Sequence, residues 1–167
     1  MSQTRTTVLD HDQVKRKLER IAHQLHEEHH REKGLVMVGI AGRGMELAKR
    51  LKQLLGAITT LQVELVELNI DKDAPLSRAV QLSCQLKELT GQVVVLVDDV
   101  LMSGRTLMYA AAHLVQVPLK RFNTVVLVDR RHRTFPIRAD IVGLTLSTTL
   151  QEHITVELGK RDSVHIS

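Results

Sequence analysis

Aromatic side chains are nearly missing from this sequence: its 167 residues include no tryptophan, one tyrosine and two phenylalanines. Stacking platforms for single-stranded nucleic acid are therefore almost absent. Cysteine is limited to Cys84. A lone thiol forms no internal disulfide, and no Cys/His ligand spacing accompanies it, so a reducing compartment fits. No run of about 18 apolar residues exists, so no membrane span is expected. The N-terminus is polar without an apolar core, so no signal peptide is expected and a cytoplasmic location fits. Repeats and low-complexity linkers are also lacking.

What is present is an ordinary soluble composition, 43% apolar and 25% charged. The length fits a single domain over residues 1–167. A chain of this size buries roughly 70% of its unfolded surface and needs no covalent staples. The net charge of +4 and pI near 9.5 permit an anionic ligand or RNA without demonstrating either.

One stretch organises the chain. Val93 to Val97 is an uninterrupted apolar run, the pattern of a strand buried on both faces of a parallel sheet. Asp98 and Asp99 follow, then the loop Met102-Ser103-Gly104-Arg105-Thr106, then an Ala-rich helix from Leu107 to about Val117. Unpaired N–H groups of the loop and helix N-terminus suit a phosphate. Gly104 permits close backbone approach. Ser103 and Thr106 add hydroxyls, and the acid pair accepts hydrogen bonds from a diol. An ordinary helix cap would not require two adjacent aspartates. No Gly-Lys-Ser/Thr is present, so this is not a Walker A loop.

Taken in order, Asp10 caps a helix from His11, with Val14, Leu18, Ile21 and Leu25 on one stripe. Its bases read as a solvated face. His26, His29 and His30 suit the negative end of its dipole, with only weakly metal-like spacing. Gly34 ends that helix. Leu35–Ile40 is the first parallel strand. Ala41-Gly42-Arg43-Gly44 and a helix over Met45–Leu55 follow, a second strand, glycine loop and helix that pairs backbone amides with a cation. Leu61 to Ile70 is a strand, and residues 77–89 read as either strand or helix. Asn123–Val128, Ile141–Thr145 and His153–Leu158 are further strands, the last closing the chain. Alternating strands and helices give an α/β domain with a mainly parallel sheet, and its ligand belongs at the carboxyl ends of the strands.

The stretch around Asp98 resembles the phosphoribosyl-pyrophosphate (PRPP) motif of type I phosphoribosyltransferases. The pieces Val8-Leu9-Asp10, Arg20-Ile21-Ala22-His23, Arg43-Gly44, Val128-Asp129-Arg130, His132-Arg133 and Pro136-Ile137-Arg138-Ala139-Asp140 are similar to the pyrimidine-operon attenuator / uracil phosphoribosyltransferase branch, in order over most of the chain. The resemblance implies the type I fold, a parallel twisted sheet flanked by helices with a small hood. It implies phosphoribosyl transfer from PRPP to uracil or another nucleobase, with Mg2+ held mainly through PRPP. It assigns the ribose and catalysis to Asp98, Asp99 and Arg43. The phosphates fall to Met102, Ser103, Gly104, Arg105 and Thr106, and to Ala41, Gly42 and Gly44. The base falls to Asp129, Arg130 and Arg138, and RNA contact to Arg20, His23, Arg133 and Arg138. A nucleoside monophosphate is the implied product, and a homodimer or higher homo-oligomer the implied assembly.

The sequence departs from that branch in four places. The pyrophosphate loop, usually Lys-Thr-Arg-Gly, is Ala41-Gly42-Arg43-Gly44. The mobile loop, usually Tyr-Arg-Asp-Asp, is Asn69-Ile70-Asp71-Lys72-Asp73. Two RNA-side positions, usually threonine and lysine, are Glu19 and Leu144. A slow transferase with weak RNA contact is the expectation. A nucleotide-binding RNA regulator without turnover, and a protein with neither activity, are the competing readings.

Overall fold

The structure, a computed structural model, describes residues 4–167. Strand β1 (Thr6–Leu9) leads into helix α1 (His11–His29). Asp10 closes a capping box there: its Oδ1 accepts the Gln13 N–H at 2.9 Å, and Gln13 Oε1 accepts the Asp10 N–H at 2.9 Å. The stripe Val14, Leu18, Ile21 and Leu25 is buried as its spacing predicts. The helix stops at His29, so Gly34 does not end it but opens β2 (Gly34–Ile40). Nor does His29 serve the helix dipole. It is buried with neither ring nitrogen partnered, and burial followed by nearby Arg121 holds its pKa below the usual histidine value.

After β2 come α2 (Arg43–Ile58), β3 (Gln62–Asn69), β4 (Gln81–Leu82) and a 3-10 turn over Leu86–Leu89. The ambiguous stretch before the central motif is thus neither one strand nor one helix. Then follow β5 (Val93–Leu101), α3 (Arg105–Leu114), β6 (Arg121–Asp129) and β7 (Ile141–Thr145). The order β4-β3-β2-β5-β6-β7 forms a six-stranded sheet, parallel except for β4 at its edge. Strand β5 lies inside it, which explains its unbroken apolar run. Val93, Val95 and Val97 enter the core shared with α1 and α2, while Val94 and Leu96 enter the core shared with α3.

The hood is a second sheet, three-stranded and antiparallel, in the order β1-β9-β8. Its strands β8 (Ile154–Glu157) and β9 (Ser163–Ile166) come from the C-terminal end. So β8 is not the last strand. The β8–β9 turn is fixed to the body by a buried carboxylate. Asp162 is 4% exposed and accepts from Arg50 Nη1 of α2 at 2.5 Å, while Arg50 Nη2 donates to Gly159 O at 3.0 Å. No helix among the described residues is long and apolar enough to cross a membrane. Removing one partner of such a pair strands a charge in the interior. Arg50→Ala is therefore expected to lower the unfolding free energy by about 3 kcal/mol in urea titrations, and a change below about 1 kcal/mol would show that the pair is not the anchor.

Candidate active site

The acid pair lies within β5 rather than after it. Pairing with β6 continues through Asp98↔Val126 to Leu101↔Asp129, so both carboxylates are built into the sheet. Asp98 is 4% exposed and Asp99 7%. Burial, followed by the neighbouring Asp99 charge, pushes the Asp98 carboxyl up to about 7. Two groups favour its ionised form: Lys72 Nζ at 3.5 Å and the Asp99 N–H at 2.9 Å, both on Oδ1. Lys72 is held from two sides. Arg105 Nη2 donates to its carbonyl at 3.0 Å. Asp71 Oδ1 accepts the N–H groups of Asp73 and Ala74, each at 3.0 Å, and those bonds keep the Asp71 carboxyl below its usual range.

The loop after β5 is shaped from behind. Ser103 O accepts the N–H groups of Thr134 and Phe135 at 2.9 and 3.0 Å. Gly104 has φ +86, and a Cβ there would stand 2.8 Å from Ile137 Cγ2. This glycine admits the 133–137 segment as well as the turn itself. Ser103 Oγ accepts the Arg105 N–H at 3.2 Å. Among the described residues, the N–H groups of Gly104, Thr106 and Leu107 donate to no protein acceptor, leaving the N-terminus of α3 open. A cleft of about 370 Å³ collects Arg43, Lys72, Asp98, Asp99, Met102 to Thr106 and, from the hood, Ile154.

An adjoining cleft of about 720 Å³ shares Arg43, Lys72 and Asp99 with the first. Ala41 and Gly42 form one wall, and Val156 to Gly159 with Arg161 form the hood wall. Gly42, at φ +93, turns the chain into α2 without a side-chain cap. Gly44 is buried where α2 meets β5: a methyl there would lie 2.8 Å from Val97 O. A groove of about 690 Å³ at the other end of the sheet has neither an acid pair nor a glycine loop before a helix.

The basic segment after β6 is largely committed internally. Asp129 Oδ1 accepts the Arg131 N–H at 2.9 Å and Arg133 Nη2 at 2.7 Å. Arg130 is 6% exposed and donates to Thr148 Oγ1 at 2.5 Å and Thr149 O at 2.6 Å. Arg133 also donates to Met102 O at 2.8 Å and Ile137 O at 2.9 Å. These residues tie the loop after β5 to the segment that leads into β8. Arg138 does not join them. It is exposed, its carbonyl accepts from Thr124 Oγ1, and it lines neither cleft. Of the remaining RNA-side residues, Arg20 donates to Val142 O and Gly143 O at 2.9 and 2.5 Å, and His23 is exposed. Lys72, from the stretch set against the mobile loop, stands at both clefts, and Ile154 and Arg161 stand at one each although no sequence motif marks them. Ile154 and Arg161 reach them only because the C-terminal strands fold over the sheet.

The Asp98 shift has a signed consequence. Its folded pKa exceeds that of the unfolded chain, so its contribution to stability is fully present below about pH 4 and is lost as pH rises through about 7. Asp98→Asn is expected to raise the unfolding free energy at pH 8 by about 2–4 kcal/mol and to flatten the profile between about pH 4 and 7. Parallel profiles in denaturant titrations of the two proteins would contradict this.

Comparison with known proteins agrees with this geometry. Residues 4–159 match the phosphoribosyl transferase domain. The chain is 34% identical to the bifunctional protein PyrR of Haemophilus ducreyi, over 94% of this chain and 92% of that one. It is 38% identical to the bifunctional protein PyrR of Alkaliphilus metalliredigens, again over 94% and 92%. The fold is that of solved phosphoribosyltransferases. The hypoxanthine phosphoribosyltransferase of Trypanosoma cruzi superposes with TM-score 0.72 at 17% identity, covering 84% of this chain and 81% of that one. A hypoxanthine-guanine enzyme of Bacillus anthracis gives 0.70 at 19%, covering 84% and 82%. The chain therefore belongs to the type I phosphoribosyltransferase family, in the branch that includes the PyrR proteins.

Proposed function

We propose that this protein transfers phosphoribosyl from PRPP to uracil, slowly, with Mg2+. One observation carries the reading: a buried acid pair, an open helix N-terminus and a free-standing arginine line one cleft at the carboxyl ends of the strands, with a second cleft adjoining it. Uracil is the base to which the branch resemblance points. The solved hypoxanthine enzymes share only the fold.

The ribose hydroxyls donate to Asp98 and Asp99. As the bond from C1 to pyrophosphate loosens, positive charge grows on the ribose, and these carboxylates stabilise it. The pair of electrons leaves on pyrophosphate, and uracil N1 joins C1 as its proton passes to solvent. The open amides of Gly104, Thr106 and Leu107 hold the 5′-phosphate, and Arg43 with the Gly42–Gly44 amides faces the leaving group. Arg130 and Arg133 hold the walls of the base end, where Met102 and Ile154 offer apolar surface to a planar ring. The donors suit Mg2+ only in part. Asp73, Asp98 and Asp99 line the cleft, yet no group of three His, Cys, Asp or Glu side chains able to hold a metal occurs among the described residues. A hard cation needs about six oxygens, so it would arrive with the diphosphate. Bound there, it supplies charge neutralisation to the leaving group.

The regulatory reading has less support. RNA affinity depends on free cations at phosphates. Here Arg20 and Arg133 donate to protein carbonyls, and Glu19 and Leu144 stand on that side. A pyrimidine-leader hairpin is expected to bind weakly and to dissociate as salt rises. Nanomolar affinity at high salt in filter binding would reverse this order of readings.

Turnover should be limited at the pyrophosphate loop. Loss of one aimed electrostatic donor costs about 10²–10³ in turnover. Restoring a cation with Ala41→Lys is expected to raise kcat more than it changes PRPP affinity. Gly42 is left alone, because threonine is strained at φ +93. The assay is pyrophosphate release from PRPP and Mg2+ with uracil, then with other bases. No release with any base would defeat the proposed activity, and an unchanged kcat in the folded variant would defeat the account of its rate.

A further inference from the structure

The pyrophosphate cleft has more charged residues than the sequence motif, and their pairing is unequal. Two carboxylates on its wall are already matched. Glu46 receives Arg50 Nε at 3.4 Å, and Glu157 receives Arg5 and, at 3.3 Å, the Ser163 hydroxyl. Lys72 is turned to Asp98. The guanidiniums of Arg43 and Arg161 donate to no acceptor among the described residues, and both line this cleft. One comes from the start of α2 and the other from the hood, so two unmatched cations face one space from two walls.

Arg161 is exposed, yet its backbone is not free. Asp162, the next residue, is held by Arg50 Nη1, and its N–H donates to His11 Nδ1 at 3.0 Å. Asp162 Oδ1 accepts the Gly159 N–H at 3.0 Å, and Gly159 O accepts from Arg50 Nη2 at 3.0 Å. The turn is therefore locked to α2, the helix whose first residue is Arg43. Rigid registration makes a cation more effective than a mobile surface charge, since less freedom is lost on binding.

We propose that Arg161 is a pyrophosphate-binding residue. It supplies from the hood the positive charge that the glycine loop, with Ala41 in place of a lysine, does not supply. A guanidinium is suited to this because it meets two phosphate oxygens at once. This inference rests on the PRPP reading above, but it assigns a residue outside every motif of the sequence.

Calorimetry with the full chain separates the two. PRPP·Mg2+ and uridine 5′-monophosphate are titrated into wild type, Arg161→Ala, Arg161→Lys and Lys160→Ala, the last an exposed neighbour that does not line the cleft. Arg161→Ala is expected to weaken PRPP binding roughly tenfold to a hundredfold and to leave the monophosphate, which lacks the pyrophosphate, unchanged. Arg161→Lys should recover part of the loss, and Lys160→Ala should match wild type. Unchanged PRPP affinity in Arg161→Ala overturns the assignment while the PRPP reading stands. Equal losses for both ligands, or equal losses in Lys160→Ala, also overturn it, since they report hood damage or the bulk field. Wild type that binds neither ligand removes both the assignment and the PRPP reading.

Discussion

Two adjacent carboxylates sit in a strand end with almost no water around them, and much of the site follows from that constraint. Burial and the neighbouring Asp99 charge oppose ionisation of Asp98 there. Lys72 and one backbone N–H provide part of the compensation. A ligand with hydroxyl donors and a metal-borne positive charge would provide the rest. The site is thus a region of stored electrostatic cost, as functional sites commonly are. The surrounding bonds serve to keep the compensating groups in reach. Arg105 fixes Lys72 while its own N–H is capped by Ser103. Arg133 fixes the loop that carries Ser103. Each is a short link in one chain of contacts ending at the acid pair.

Helix α2 has a second task besides core packing. Its N-terminus meets β5 so closely at Gly44 that a methyl group would collide with Val97 O. Its first turn carries Glu46, which pairs with Arg50, and Arg50 reaches the hood turn. A displacement of this helix would move Arg43, the acid-pair wall and the hood together. The hood is small and buries few apolar residues of its own, chiefly Leu9, Val156 and Val164. Its position therefore depends on polar ties, and the buried Asp162 is the principal one.

How much of this was legible in the sequence differed by element. Strand β5 was legible because both its faces are apolar, and α1 because its stripe recurs at helical spacing. The hood was only partly legible. Thr6–Leu9 and Ser163–Ile166 are short, bury one residue each, and pair with each other across nearly the whole chain. Local pattern carries no sign of such a partner. Residues 77–89 mixed two periodicities because they form two brief elements instead of one. The basic residues were legible as types but not as roles. Arg20, Arg130 and Arg133 all spend donors on backbone carbonyls, and no sequence pattern marks which carbonyl will face a given guanidinium.

The two ends of the candidate ligand site are built in different ways, and this explains where the chain departs from its branch. The end proposed for ribose and 5′-phosphate is one contiguous segment from Asp98 to Thr106. A change at any of its positions disturbs a strand end, a loop and a helix start at once. The end proposed for the leaving group is assembled from separated pieces: Gly42 and Arg43, the Lys72 turn, and the hood. Charge acts through space, so a cation removed from one of these pieces can be replaced by a cation on another. Gly42 shows the local side of this freedom. With φ +93 it commits the loop to a path that a threonine would resist, yet the path still leaves backbone amides and Arg43 at the cleft. A dispersed electrostatic subsite tolerates rearrangement of its motif, whereas a contiguous one keeps it.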